Sequence, residues 1–174
     1  MVLFLASELM LFGSLFAAYF FLRALTPVWP PEGVELEMIS PTVATVVLTA
    51  SSFTLLFGLR GLERGNVSRF RALVAGTFVL GAVFLGIKAY ELSAAPFGIR
   101  SHAYGSLWFT MLSFHALHLS AGMVLLLVML SRAVPPETPA ALSTGHATAQ
   151  AIGYYWHFVD VVWLAIYTTL FLVR

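Results

Sequence analysis

Five apolar runs, at residues 2–22, 42–62, 70–92, 107–131 and 152–173, leave this chain few options. A helix needs about 20 consecutive apolar residues to cross the hydrocarbon core of a bilayer, and each run meets that length. In lipid only helices and closed barrels satisfy every backbone N–H and C=O, and runs this long read as spanning helices. The predicted fold class is all-α: an integral membrane bundle of five transmembrane helices, with residues 1–174 forming one unit. Composition agrees, since 60% of the residues are hydrophobic and 10% charged, against about 25% charged in an average soluble domain. A net charge of +1 without a basic stripe gives nucleic acid no surface to bind. The absence of cysteine excludes disulfides, thiolate metal sites and cysteine nucleophiles. No GxGxxG, P-loop, GxSxG or HExxH string is present, which removes the commonest soluble chemistries.

The links between the runs are polar or rich in proline and glycine. Residues 23–41 hold Pro27, Pro30, Pro31 and Pro41, and residues 132–151 hold Pro135, Pro136 and Pro139. Both read as loops. Arg60, Arg64, Arg69 and Arg71 crowd the second link, whereas the first holds Glu32, Glu35 and Glu37. The positive-inside rule then places the N-terminus in the cytoplasm and the C-terminus outside, in the inner (cytoplasmic) membrane. The first run lacks a preceding basic region and contains Glu8, so it reads as a span and not as a cleaved signal. Gly13 with Ala17, and Ala82 with Gly86, lie four apart; such faces are expected to let helix backbones approach closely.

Ionisable residues inside a span are expensive and mark functional hypotheses. The string YYWHFVDVVWL, residues 154–164, places His157 and Asp160 three apart in the last run. A His–Asp hydrogen bond would satisfy both and fix the imidazole tautomer. Glu8 lies roughly 9 Å, and Asp160 roughly 12 Å, into their helices at about 1.5 Å per residue, both in the cytoplasmic half. The groups read either as a polar clasp between helices or as a proton-carrying site. His115 and His118 share a face of the fourth run; HxxH offers two metal ligands but no third, and the other reading pairs them within the bundle. A membrane cytochrome using His118 with His157, and a stand-alone proton-coupled transporter using Glu8 and Asp160, are competing classes. Transporters of that kind show inverted repeats and broken helices, and neither is visible. Lys88 and Glu91 are expected to form an ion pair at the outer interface with Lys88 snorkelling; alternatively Glu91 turns toward the fourth helix. Trp29, Trp108 and Trp156 suit interfacial anchoring, and Trp163 lies deeper. Arg132 reads as a lipid-phosphate contact or as an ordinary positive-inside residue.

YYWHFVDVVWL closely resembles the last helix of subunit III of haem–copper oxidases. FLASELMLFGSLFAAYF, YELSAAPFGIRSHAYGSLWF and SFHALHLSAG resemble further segments of that family, in the same order and over essentially the whole chain. Ala116 stands where the family usually has glycine between the histidines. The resemblance is to the five-helix form of cytochrome c oxidase subunit III. It implies a non-redox accessory subunit of a terminal oxidase that couples O2 reduction to proton pumping. It implies no cofactor in this chain, with haem and copper in partner subunits. Expected partners are oxidase subunit I in direct contact, other oxidase subunits, phospholipid, and a larger respiratory supercomplex. It also implies support of stability and proton uptake. Residues carried over by motif are Glu8 as the buried carboxylate; Glu91, His115, His118, His157 and Asp160 as polar positions; and Arg132 as a lipid contact. Glu8 and the Ala-Pro-Phe segment favour cytochrome c over quinol as donor. A quinol oxidase subunit III and a nitric oxide reductase-associated homologue are the alternatives.

Overall fold

Five long helices and a short wide turn make up the computed structural model: α1 Val2–Leu25, α2 Ile39–Glu63, α3 Val67–Ala94, α4 Ala103–Ser131 and α5 Pro139–Tyr167, which runs on into a π-helical turn over Thr168–Leu172. It describes residues 2–31, 34, 37–131 and 139–173, with side chains at all of these except 2 and 139–144. Arg132, Glu32 and Glu35 lie outside the described residues. All five helices are long and apolar enough to cross a membrane, and the described residues contain no strand. This is a multi-pass membrane protein.

The helices extend beyond the apolar runs because hydropathy reports where lipid begins, not where a helix does. The largest difference is α5, which starts at Pro139 where the sequence suggested a loop to 151. Proline is at home in the first turn of a helix, where its missing N–H is no loss. The residues that follow, mostly small, contain no further proline to stop it.

α2 and α3 form an antiparallel hairpin. Gly65 closes α2 with φ +74, a left-handed conformation that glycine adopts without a Cβ clash. The Gly65 and Asn66 N–H groups return to Leu62 O (2.9 Å) and Gly61 O (2.9 Å), satisfying carbonyls at the helix end. Asn66 then caps α3, its Oδ1 accepting from Arg69 N at 2.9 Å. At the far end the His102 ring nitrogen Nδ1 accepts from Gly105 N at 2.8 Å and starts α4. α5 packs against α2 and α4, while α1 leans on α4 and α5 and leaves much of its surface exposed.

Apolar side chains gain nothing by leaving lipid, so fit between helices must hold such a bundle together. Here the fit centres on Trp156 of α5, which is 1% exposed. A Cβ on Gly81 of α3 would lie 2.9 Å from its ring, and one on Gly122 of α4 would lie 3.1 Å away. Its Nε1 donates to Ser51 Oγ of α2 at 3.1 Å. Gly153 makes a second close approach, where a Cβ would stand 2.7 Å from Leu59. The small residues singled out from the sequence are not the ones used. At Gly13 and Gly86 a Cβ would meet nothing within 4 Å, and Ala17 and Ala82 are exposed. Four-residue spacing identifies a small face but not what the face meets.

Alanine at Gly81 or Gly122 is therefore expected to overpack the Trp156 site and cost about 1–3 kcal/mol, offset in part by about 1 kcal/mol of helix propensity. Alanine at Gly13 or Gly86 should be neutral or slightly stabilising. Thermal unfolding of the purified protein in detergent ranks the four; equal effects would contradict the wedge.

Candidate functional site

Three polar groupings are built into the bundle. The first joins α1, α4 and α5. His118 Nε2 meets Glu8 Oε2 at 2.5 Å, and His118 Nδ1 lies 2.6 Å from Phe114 O, one turn earlier in α4. A carbonyl only accepts, so Nδ1 carries the hydrogen. Nε2 and the Glu8 carboxyl then share a single proton, which sits on the acid as a neutral pair or on the ring as an ion pair. Both side chains are largely buried, and Phe12 stacks edge-on against the ring at 5.1 Å. Tyr155 of α5 donates to His118 O at 2.9 Å, which holds this turn of α4 in place.

The second grouping joins α5 to α2. Ser52 Oγ donates to Asp160 Oδ2 at 2.7 Å, Trp156 Nε1 reaches Ser51 Oγ, and Trp163 Nε1 reaches Thr45 Oγ1 at 2.9 Å. Positions 156, 160 and 163 recur at helical spacing, so one face of α5 presents these groups to one face of α2. The expected His157–Asp160 hydrogen bond is not made. Asp160 is partnered by Ser52 across the helix pair, and its Oδ1 has no partner. His157 is half-buried and lies outside the bonded seam. Residues three apart on a helix share a face, but the ring and the carboxyl still aim separately.

The third grouping lies toward the other end of α3. Lys88 Nζ donates to Glu91 Oε2 at 2.7 Å, and Ser40 Oγ of α2 donates to Glu91 Oε1 at 2.5 Å. The ion pair expected within α3 is present, but its setting differs. Lys88 is 3% exposed and does not snorkel. Its ammonium lies 4.3 Å from the centre of a Trp163 ring, with Phe84 and Phe171 at 5.6 and 5.8 Å. Cation–π contacts and one carboxylate replace water around it. Glu91 turns toward α2, not toward the fourth helix. His115 shares the same aromatic walls, 5.1 Å from Trp163 and 5.7 Å from Phe84, and neither ring nitrogen has a partner.

The structure thus separates the histidines that HxxH put together. His118 faces Glu8, and both its nitrogens are engaged, which leaves none for a haem shared with His157. His115 faces the Lys88 box. Among the described residues no three His, Cys, Asp or Glu side chains gather as a metal site would. Two of the tryptophans are also corrected, while Trp163 lies deep as expected. Trp108 and Trp156 are buried in the bundle and do not anchor at an interface, and Trp163 is fully buried. Trp29 packs on Tyr104 and donates to Tyr19 Oη at 2.9 Å. Sequence reasoning missed Ser40, Ser52 and Tyr155 as bonding partners, and the burial of Lys88. A lysine inside a span, four residues after Phe84 and three before Glu91, was the one available signal; the serines gave none.

Lys88→Met would strand Glu91 in the bundle and should destabilise it by about 3–5 kcal/mol, whereas Lys88→Met with Glu91→Gln should recover most of that loss. Ser52→Ala should cost about 1–3 kcal/mol by leaving both Asp160 oxygens unpartnered, and His157→Gln should cost less. Detergent-solubilised thermal unfolding of the set tests both statements. Additive effects of the Lys88 and Glu91 changes would contradict a buried pair.

Comparison with known proteins places this architecture. Residues 1–173 match the family described as cytochrome c oxidase subunit III. The protein named cytochrome c oxidase subunit 3 in Thermostichus vulcanus is 38% identical over 173 residues, covering 99% of this chain and 85% of that protein. The probable cytochrome c oxidase subunit 3 of Mycobacterium tuberculosis (strain ATCC 25618 / H37Rv) is 39% identical over 179 aligned positions, covering 99% and 86%. The Corynebacterium diphtheriae cytochrome c oxidase subunit 3 is 37% identical, with the same coverage. With one family spanning its whole length and relatives this similar, the chain belongs to the cytochrome c oxidase subunit III family.

Proposed function

We propose that this chain, an accessory subunit of a haem–copper oxidase, packs directly beside subunit I as a single transmembrane unit and steadies it. In this reading haem and copper reside in the partner subunits, cytochrome c is the electron donor, and the complex joins a larger respiratory supercomplex. The membrane is the cytoplasmic one, with the N-terminus inside and the C-terminus outside, as the arginines of the α2–α3 hairpin favour. Arg132 holds a phospholipid phosphate in the same reading.

The observation that carries the reading is the Glu8–His118 pair. The two side chains meet between α1 and α4, on the arginine-bearing half of the bundle, where α1 is only loosely covered. Asp160, by contrast, accepts from a serine hydroxyl, and Lys88 is enclosed by aromatic rings beside Glu91, as structural groups would be. A pair that exchanges protons near the uptake side supports proton delivery without taking part in electron transfer. In this reading Glu8 and His118 form the proton-holding pair, Asp160 and Glu91 hold the bundle in register through Ser52, Ser40 and Lys88, and His115 and His157 belong to neither set.

Glu8→Gln in the assembled oxidase is expected to leave haem and copper content unchanged and to slow proton uptake during turnover. The first is read from the visible spectrum and metal analysis, the second with a pH-indicator dye in stopped flow. Loss of haem would overturn the accessory role, and unchanged uptake would overturn proton handling by Glu8.

A further inference from the structure

The tip of the α2–α3 hairpin gathers more positive charge than the hairpin itself uses. Arg60 and Arg64 lie one turn apart at the end of α2, and Arg69 lies in the first turn of α3. Arg69 reaches across to α2, where a Cβ on Gly61 would lie 3.6 Å from its Cγ and 3.7 Å from its Cδ. Its stem thus crosses α2 at a residue without a side chain, between Arg60 and Arg64, and three cations share one corner of the hairpin. All three are exposed, and Glu63 pairs with none of them. Among the described residues none of these guanidiniums has a carboxylate or hydrogen-bond partner. The helix dipole favours cations at the end of α2, but Arg69 sits at the positive end of α3, where a cation is disfavoured. An anion held at this corner would offset both that placement and the mutual repulsion of the arginines.

What adjoins the cations decides which anion fits. Phe53, Phe57, Arg60 and Arg64 follow one another at intervals of four, three and four, so they share one face of α2. Phe53 is 57% and Phe57 45% exposed, and the Arg60 guanidinium lies 5.7 Å from the centre of the Phe57 ring. A stripe therefore starts at guanidiniums on the end of the span and continues into the span as exposed aromatic rings. Guanidinium matches phosphate oxygens in a bidentate fork, and rings at that depth give an acyl chain a surface to lie on. A free phosphate or an acidic peptide segment would use the cations and leave the rings idle. We propose that this corner holds an anionic phospholipid of the adjoining leaflet, with Arg60, Arg64 and Arg69 around its phosphate and an acyl chain along Phe57 and Phe53. The positive-inside rule asks only for charge at this end and treats Arg71 as the equal of the other three. Arg71 follows Arg69 by two residues and so lies on the opposite side of α3, at about 3.6 residues per turn.

The test uses the assembled oxidase, stripped of lipid in detergent and titrated with dioleoyl phosphatidylglycerol. Native mass spectrometry counts the lipid that stays on this chain when the complex is taken apart in the instrument. An arginine near an anionic headgroup is worth about fivefold in binding. Arg69→Gln is therefore expected to weaken retention about fivefold, and the triple change Arg60→Gln, Arg64→Gln, Arg69→Gln on the order of a hundredfold. Arg71→Gln should leave retention as it is. Phe53→Ala with Phe57→Ala should weaken it with every arginine in place, and inorganic phosphate should not displace the lipid. Equal losses in Arg69→Gln and Arg71→Gln would overturn the proposal, because charge alone would then explain binding. Displacement by inorganic phosphate, or no effect of the phenylalanine changes, would overturn the lipid as the source of the phosphate. Unchanged retention in the triple variant would overturn the site outright, and easier salt release of that variant from the oxidase would assign the arginines to an acidic segment of a neighbouring subunit. The substituted side chains are all exposed, and haem in the same fraction confirms that each variant is measured in an intact complex.

Discussion

The indole of Trp156 touches every helix on which the core depends. Its ring slots between Gly81 of α3 and Gly122 of α4, its N–H bonds Ser51 of α2, and its backbone belongs to α5. Dispersion and fit, not escape from solvent, hold helices together in a bilayer. A large flat ring against two glycines therefore does what a hydrophobic core does in water. Once Trp156 is seated, the register of α5 against α2 follows, and one and two turns further on Asp160 and Trp163 meet Ser52 and Thr45.

That register decides the fate of the charges. A polar group in lipid has no water to fall back on, so the carboxylates depend on partners that the docked helices supply. Glu8 finds His118, Asp160 finds Ser52, and Glu91 finds both Lys88 and Ser40. Two of these pairings can be counted as structure, because they tie neighbouring turns or helices through bonds that need no exchange with solvent. The Glu8–His118 pair differs. It joins two groups that can each carry a proton, and its α1 side is the least covered of the five spans. That difference is what motivates the proposed role of the pair in proton handling.

Much of this was legible from the residues. The five spans, the all-helical class and the family resemblance follow from run length and from YYWHFVDVVWL, because lipid leaves little choice of backbone and the motif is dense in unusual residues. Glu8, His118, Asp160 and Glu91 could be singled out because an ionisable group in a span is conspicuous. Of their partners, only Lys88, on the same helix as Glu91, could be read in advance. Which way His157 or Glu91 turns depends on rotamers and on the azimuth of the neighbouring helix, and neither is written in one helix's own spacing. Ser52 and Ser40 carry no local signal, since serine is unremarkable in such a span. The same blindness explains Gly13 and Gly86: a small-residue face is visible in sequence, but its docking partner is not. Lys88 does not snorkel because an aromatic box encloses it, and that box comes from residues far apart in the chain.

The central claim is that this bundle supports redox chemistry carried out by its neighbours. Purification from native membranes in mild detergent, with a visible spectrum taken before and after the chain is stripped from its partners, tests it most directly. The account predicts that the chain co-purifies with haem- and copper-bearing oxidase subunits and that the stripped chain shows no Soret band. A chain that purifies alone, or one that keeps a Soret band when stripped, would contradict it.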